Sequence, residues 1–176
     1  TESSEFWKNY GELNNVKPED IATEVIRLPS SCFAEDPGSF TSSGRVVQWH
    51  WAGAEPQGEA KYDREIIGNL VTRLRAAYAK DGGKLPDPIL KLTWGYSVPS
   101  NPPAEEVLRE INGRALKDVT DPKDPTKVLV PAGHQLPGFA MLRDDGSTAC
   151  GNWIYSGVWS QAGNNSARRD SADPGG

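Results

Sequence analysis

The chain reads as α/β, with α+β as the alternative within the same mixed class: a partial domain with a small sheet, two main helices and much irregular backbone. Three observations lead there. A single long amphipathic stripe, Ile66, Ile67, Leu70, Val71, Leu74 and Tyr78, repeats at the i, i+3/i+4 spacing of a helix face. Four short β-favouring segments are scattered around it, at Glu24–Leu28, Val46–Trp51, Ile89–Tyr96 and Lys127–Val130. Finally, 18 glycines and 14 prolines in 176 residues, against 36% apolar residues, break the rest into loops.

The elements follow in order. Glu5–Tyr10 is a short aromatic lead-in, and Pro18 breaks the polar stretch after it. Glu24–Leu28 alternates weakly and stops before Pro29, as a strand would. Ser30–Gly44 reads as a loop, with turn chemistry at Asp36-Pro37-Gly38, and Val46–Trp51 reads as extended. Asp63 is the expected N-cap of the long helix, Glu65 suits its positive end, and Gly82-Gly83 ends it. This helix is expected to pack one face on a sheet.

Ile89–Tyr96 is expected to be a strand. A second helix is expected after Ser100-Asn101-Pro102-Pro103, with Glu105 and Glu106 in its first turn, Val107, Leu108 and Ile111 buried, and Asn112-Gly113 as its stop. Asp118–Thr126 reads as a polar exposed loop and Lys127–Val130 as a strand. Leu136–Leu142 reads as a helical turn, Asp144-Asp145-Gly146 as a tight turn, and residues 163–176 as a polar tail.

Composition narrows the function classes. A net charge of −5 argues against nucleic acid as a partner. No apolar run approaches the roughly 20 residues that span a bilayer, so direct membrane insertion is not expected. Cys32 and Cys150 form no CxxC pair and read as two separate thiols. They are too few to build an iron–sulfur or zinc site alone. With no initiator methionine, no leader and no closing element, the chain is expected to be an excerpt of a longer polypeptide.

Catalytic motifs are scarce. His50 and His134 are far apart and read as a packed or surface histidine and a loop residue. No G-x-S-x-G elbow, dinucleotide fingerprint or phosphate-cradling lysine is present. Asp144-Asp145 lacks the alternating oxygen ligands of a calcium loop. Asn164-Asn165-Ser166 fits a glycosylation sequon, a pattern too common to weigh.

Two constellations remain open. Trp49 and Trp51, two apart, share a strand face. They would either make a stacking platform for sugars or bases, or cap the core where the long helix packs, the stronger option. Glu35, Gly38, Ser39 and Arg45 surround a glycine turn. A carboxylate and an arginine there would either form an ion pair holding the loop, or leave Arg45 to present its donor fork to an anion such as phosphate or carboxylate.

The strings Glu24-Val-Ile-Arg-Leu-Pro29, Cys32-Phe-Ala-Glu35, Gly38-Ser-Phe-Thr41 and Gly44-Arg-Val-Val-Gln-Trp49 resemble the molybdopterin-dependent oxidoreductases. The linker Pro56-Gln-Gly-Glu-Ala60 before an Asp-led helix is similar to theirs as well. Phe6-Trp7, the segment Leu142–Tyr155 with its Cys150-Gly-Asn-Trp-Ile, and Ala167–Pro174 look like the large, catalytic subunit of the exported respiratory formate dehydrogenases. Ser42 stands where the family loop commonly carries Asn, which removes an amide able to donate and accept.

The resemblance implies a parent enzyme that oxidises formate to carbon dioxide in anaerobic respiration. It would hold molybdenum or tungsten on a bis-molybdopterin guanine dinucleotide with cysteine or selenocysteine as ligand. Electrons would pass to a 4Fe–4S cluster, an iron–sulfur subunit and a membrane cytochrome subunit, in the periplasm.

Residues 1–80 would then end the α/β cofactor-binding domain, and residues 81–176 would link it to a C-terminal pterin-binding barrel. The catalytic groups would lie outside the chain, which is expected to bind no cofactor and show no activity alone. Glu35, Gly38, Ser39 and Arg45 carry over only as the wall of the cofactor cavity. The rivals are another pterin oxidoreductase, of nitrate or polysulfide reductase type, and a non-catalytic tryptophan-rich binding module.

Overall fold

The structure is a computed structural model and describes residues 20, 22 and 24–167. The aromatic lead-in, the stretch to residue 19 and residues 168–176 lie outside the described residues. The mixed class expected from the sequence is what the chain adopts. Among the described residues three α-helices, α1 (Asp63–Asp81), α2 (Asp87–Leu90) and α3 (Ala104–Ile111), follow one another between an N-terminal pair of short strands and six later ones. The expected small sheet is instead four separate two-stranded antiparallel ladders. β1 (Gly38–Thr41) pairs with β2 (Val47–His50), β3 (Arg114–Ala115) with β6 (Thr148–Ala149), β4 (Val119–Asp121) with β5 (Asp124–Val130), and β7 (Trp159–Ser160) with β8 (Gly163–Asn164).

α1 begins one residue earlier than a capping Asp63 would require. Tyr62 is the extended N-cap and Asp63 the first helical residue, so its carboxylate complements the dipole without capping a backbone N–H. The helix ends where expected, at Gly82, whose φ of 68° lets its N–H donate to the Tyr78 carbonyl at 3.0 Å.

Its packing differs from the expectation. α1 buries a notch at Gly68 against the Ser100–Pro102 turn, where a Cβ would stand 2.7 Å from the Ser100 carbonyl oxygen and 2.8 Å from Pro102 Cδ. Asn69 Nδ2 donates to that same carbonyl at 3.1 Å. The apolar stripe does not meet a ladder within the described residues: Ile67 and Leu70 are 53% and 56% exposed.

Two expected strands are replaced, each for a visible reason. Glu24–Pro29 carries no ladder, and pairing starts only at the Ser30–Lys61 bridge. In place of Ile89–Tyr96 the chain makes the single turn of α2, started by Asp87-Pro88. Its outgoing carbonyls are taken by a guanidinium: Arg75 Nε donates to Ile89 O at 3.0 Å and Arg75 Nη2 to Leu92 O.

One expected loop is a hairpin. Asp118–Thr126 contains β4 and the start of β5, turned by Asp121, whose carboxylate accepts the Lys123 N–H at 2.9 Å. Val119 and Val130, paired across the ladder, are 2% and 5% exposed. Likewise the Ser30–Gly44 loop contains β1.

The core lies in the second half, around Ala115, Val119, Val130 and Leu136, with Leu129, Met141 and Leu142 packed on it. α3 runs from Pro103 and buries Leu108 at 2% exposure. It ends at Asn112, which is fully buried. The Asn112 carboxamide is saturated. Nδ2 donates to Gln135 Oε1 at 2.6 Å and to Gly113 O at 2.9 Å, while Oδ1 accepts the N–H groups of Gly157 at 2.8 Å and Trp159 at 3.2 Å.

The backbone after it is a spine. Gly113 O accepts from Leu136 N at 2.6 Å, Ala115 N donates to His134 O at 2.9 Å, and Leu116 N donates to Ser147 O at 2.7 Å. Gly113 has no room for a side chain, since a Cβ would stand 2.6 Å from Ser156 Oγ.

Two stability predictions follow from this packing. Gly68→Ala, which ordinarily favours a helix by about 1 kcal/mol, is expected to destabilise by about 1–3 kcal/mol because the obstacle is backbone and ring. A raised midpoint in urea unfolding would refute it. Asn112→Ala is expected to cost about 3 kcal/mol by stranding two part-buried N–H groups and a side-chain acceptor. Amide exchange at Gly157 and Trp159 reads the loss directly.

Candidate functional site

The β1–β2 hairpin positions most of the residues singled out in the sequence. Its register sets Gly38 opposite His50, Ser39 opposite Trp49 and Thr41 opposite Val47. The turn closes with Ser42 N donating to Val46 O at 3.1 Å and Arg45 N to Ser42 O at 2.9 Å. Arg45 sits there at φ 61°, a left-handed conformation costing about 1 kcal/mol or more in a residue with a Cβ.

Glu35 and Arg45 do not pair. Glu35 closes its own turn: its Oε2 accepts the Cys32 N–H at 2.9 Å, and its N–H donates to Cys32 O at 3.0 Å. The ion pair that braces this loop is Asp36 with Arg64, which joins the loop to the start of α1. Arg64 also lies 4.2 Å from the centre of the Tyr62 ring. Burial pulls its guanidinium below the usual arginine value, with neighbouring Glu65 acting in the opposite sense. Sequence reasoning missed this pair, since nothing in a separation of 28 residues signals it.

Arg45 is exposed at the hairpin tip, its guanidinium carbon 5.8 Å from the Trp153 ring centre. Trp153 stacks edge-on with Phe139 at 5.5 Å. Below it, Ser39 Oγ and Thr41 Oγ1 both reach the Tyr155 hydroxyl, at 3.4 and 3.2 Å. The two segments that carried the resemblance, the Gly-Ser-Phe-Thr hairpin and Cys150–Tyr155, therefore meet. Tyr155 and Trp153 belong to the segment that carried the resemblance, but were not among the candidate site residues picked out from the sequence.

A cleft of about 240 Å³ opens beside the hairpin, lined by Ser31, Cys32, Asp36, Gly38, Ser39, His50 and Asp63 among others. Gly38 and Ser39 line it; Glu35 and Arg45 do not. His50 is held between Phe33, centroid distance 6.0 Å, and Phe40, at 5.8 Å, as a packed histidine. The Ser31 hydroxyl is buried with no partner. His134 is exposed in its loop, Nδ1 3.3 Å from Ala132 O. Cys32 and Cys150 are free thiols. No group of three or more His, Cys, Asp or Glu suited to a metal ion occurs among the described residues.

A dinucleotide does not fit this cleft. It falls below the usual range for drug-sized ligands, about 300–1,000 Å³. Asp36 and Asp63 also line it, and while Arg64 neutralises the first, the second opposes a diphosphate. What the hairpin offers is a braced wall with a cation at its edge. Trp49 is half-buried and Trp51 is 54% exposed, so the pair is not an exposed two-ring platform.

No family model matches the chain. Among curated proteins, it is similar along its whole length to catalytic chains of oxidoreductases. It is 54% identical over all 176 residues to the formate dehydrogenase-O major subunit of Escherichia coli, covering 17% of that protein. It is 48% identical, with the same coverage, to the nitrate-inducible formate dehydrogenase major subunit of the same organism. Over 171 residues it is 39% identical to formate dehydrogenase 2 subunit alpha (cytochrome c-553) of Nitratidesulfovibrio vulgaris, covering 97% of this chain and 16% of that one. The chain is thus a homologue of one segment of the formate dehydrogenase major subunits, and spans about a sixth of their length.

Tyr155→Phe keeps the ring and deletes the hydroxyl that Ser39 and Thr41 share. It is expected to destabilise by about 0.5–1.5 kcal/mol and to speed amide exchange in residues 38–41. Exchange unchanged at those amides would show that the hydroxyl does not hold the hairpin.

Proposed function

We propose that this chain is a scaffold segment of the catalytic subunit of a molybdenum or tungsten formate dehydrogenase, inert alone. The observation that carries the proposal is the 54% identity along the full chain to a protein of which it covers 17%. In this reading residues 1–80 complete the α/β cofactor-binding domain and residues 81–176 lead towards the C-terminal pterin-binding barrel. Formate is oxidised to carbon dioxide by groups outside the segment, at a bis-molybdopterin guanine dinucleotide with a cysteine or selenocysteine ligand. A 4Fe–4S cluster, an iron–sulfur subunit and a cytochrome partner in the periplasm take the electrons. The cytochrome named for the Nitratidesulfovibrio relative supports that last partner.

Gly38, Ser39 and Arg45 belong to the wall of the cofactor cavity, and Glu35 stiffens it from behind. The exposed guanidinium at the hairpin tip supports this role. The hairpin is braced at both ends, by Asp36–Arg64 and by Tyr155, as a wall requires. A nitrate or polysulfide reductase is the sister reading; the tryptophan module is disfavoured by the half-buried Trp49.

The test is an anaerobic preparation, with and without formate, of the full-length polypeptide carrying this segment. Formate-dependent viologen reduction by the full-length protein, and none by residues 1–176 alone, is the expected result. Reduction of nitrate or polysulfide with no formate oxidation would assign the chain to the sister class.

A further inference from the structure

A polar cleft of about 310 Å³ opens beside α3 and β3, lined by Tyr96, Glu106, Arg109, Glu110, Arg114 and Gln135 among others. Its carboxylates already have partners. Glu106 takes two bonds from Ser97, from the N–H at 2.9 Å and from the hydroxyl, and Glu110 takes the Tyr96 hydroxyl. The Ser97 bonds hold the Glu106 carboxyl below its usual range, so it stays ionised. Burial, and then the bond to Glu110, raises the Tyr96 phenol above its usual value, so it stays a donor. Gln135 accepts from Asn112 Nδ2 at 2.6 Å through its Oε1.

The two arginines are not engaged in this way. Among the described residues neither the Arg109 nor the Arg114 side chain makes a hydrogen bond or an ion pair. Arg109 acts on Glu106 only as a more distant charge. The helix dipole accounts for a cation in the last turn of α3, which is where Arg109 stands. It does not account for Arg114, whose backbone is fixed on β3 between Ala149 and Gln135. Two guanidiniums in one cleft repel each other until an anion comes between them.

We infer that this cleft binds a small, singly charged carboxylate between the forks of Arg109 and Arg114. Formate is the carboxylate that the function proposed above supplies, and only that choice of ligand rests on that reading. Three features choose the class. The free groups are planar donor forks, which match a carboxylate two bonds at a time. The volume stands at the low end of the range of about 300–1,000 Å³ for small-molecule sites, and so suits a ligand of few atoms with its water. Charge selects further, because Glu106 and Glu110 beside the two arginines leave the cleft close to neutral. Attraction grows with a ligand's charge, but the cost of stripping its water grows with the square, so a near-neutral cleft disfavours a phosphate dianion.

The test uses the full-length catalytic subunit, treated with phenylglyoxal, which modifies accessible guanidiniums, and mapped peptide by peptide. Sodium formate, acetate, phosphate and chloride are compared at one ionic strength, with the other mapped arginines as reference. Formate at about 100 mM is expected to slow modification of Arg109 and Arg114 together about tenfold relative to chloride, as mass action gives for a site of about 10 mM affinity. Acetate slowing both as well supports the class and shows that formate is not singled out. Phosphate protecting better than formate overturns the inference, as does an absence of protection by any anion. Both arginines unreactive in chloride alone overturns it too, since another stretch of the subunit then fills the cleft. Arg114 is exposed, and in Arg114→Gln the protection of Arg109 is expected to vanish; protection that persists overturns the shared site. Formate-dependent viologen reduction is measured on the same wild-type sample. Turnover without protection sinks the site alone, and protection without turnover sinks the proposed activity alone.

Discussion

The buried carboxamide of Asn112 is the constraint on which the second half of the chain depends. An amide has two donors and one oxygen with two acceptor sites, and here each is used, on three different stretches of chain. A helix that ends in the interior must satisfy its last carbonyls and turn without leaving polar groups bare. Asn112 ends α3, Gly113 follows with no room for a Cβ, and the spine from 113 to 117 receives strands on both sides. The small core can then be small. Few apolar residues need bury themselves when the interior is pinned by a saturated polar knot, which strongly favours one arrangement over its near neighbours.

The first half is organised differently. It has a hairpin, a bracing ion pair and a long helix. Its side chains are mostly half-buried or exposed, and it reaches the second half through Tyr155, Trp153 and the Gly68 notch. The hairpin and the second half are therefore mechanically coupled: what fixes the 153–155 turn also fixes where Ser39 and Arg45 stand. The residues argued to face the cofactor stand on strands and a tight turn, which hold a position better than a free loop does.

Much of this was legible in the residues themselves. The long helix, its glycine stop, the second helix and the turn at Asp144–Gly146 all announce themselves by spacing and local chemistry. Less legible were features decided by distant partners. Asp121-Pro122-Lys123-Asp124 reads as loop because its composition is polar, yet Val119 and Val130 on either side zip it into a hairpin. Ile89–Tyr96 has strand composition, but Arg75 takes its carbonyls. Glu35 and Arg45 look like a pair in the linear chain and are not one, while Asp36 and Arg64 give no local sign and are. The meeting of the hairpin with Tyr155 spans well over a hundred residues, and only the family resemblance hinted that both segments mattered.

Among the described residues, the two-stranded ladders pair their strands on one side only, apart from β3, whose other side is met by the bridge at Gln135. β5 guards its open side with Lys127 and Asp124, both exposed. The strands of the β1–β2 hairpin, Gly38–Thr41 and Val47–His50, carry no Lys, Arg, Asp or Glu, and the charge between them is Arg45 in the turn. Phe40 and Val46 of this hairpin are exposed, and an apolar strand edge is a template for another strand wherever it is left uncovered. A hairpin built this way is kept from pairing with other strands by what packs on it, here Tyr155 through Ser39 and Thr41, more than by charge.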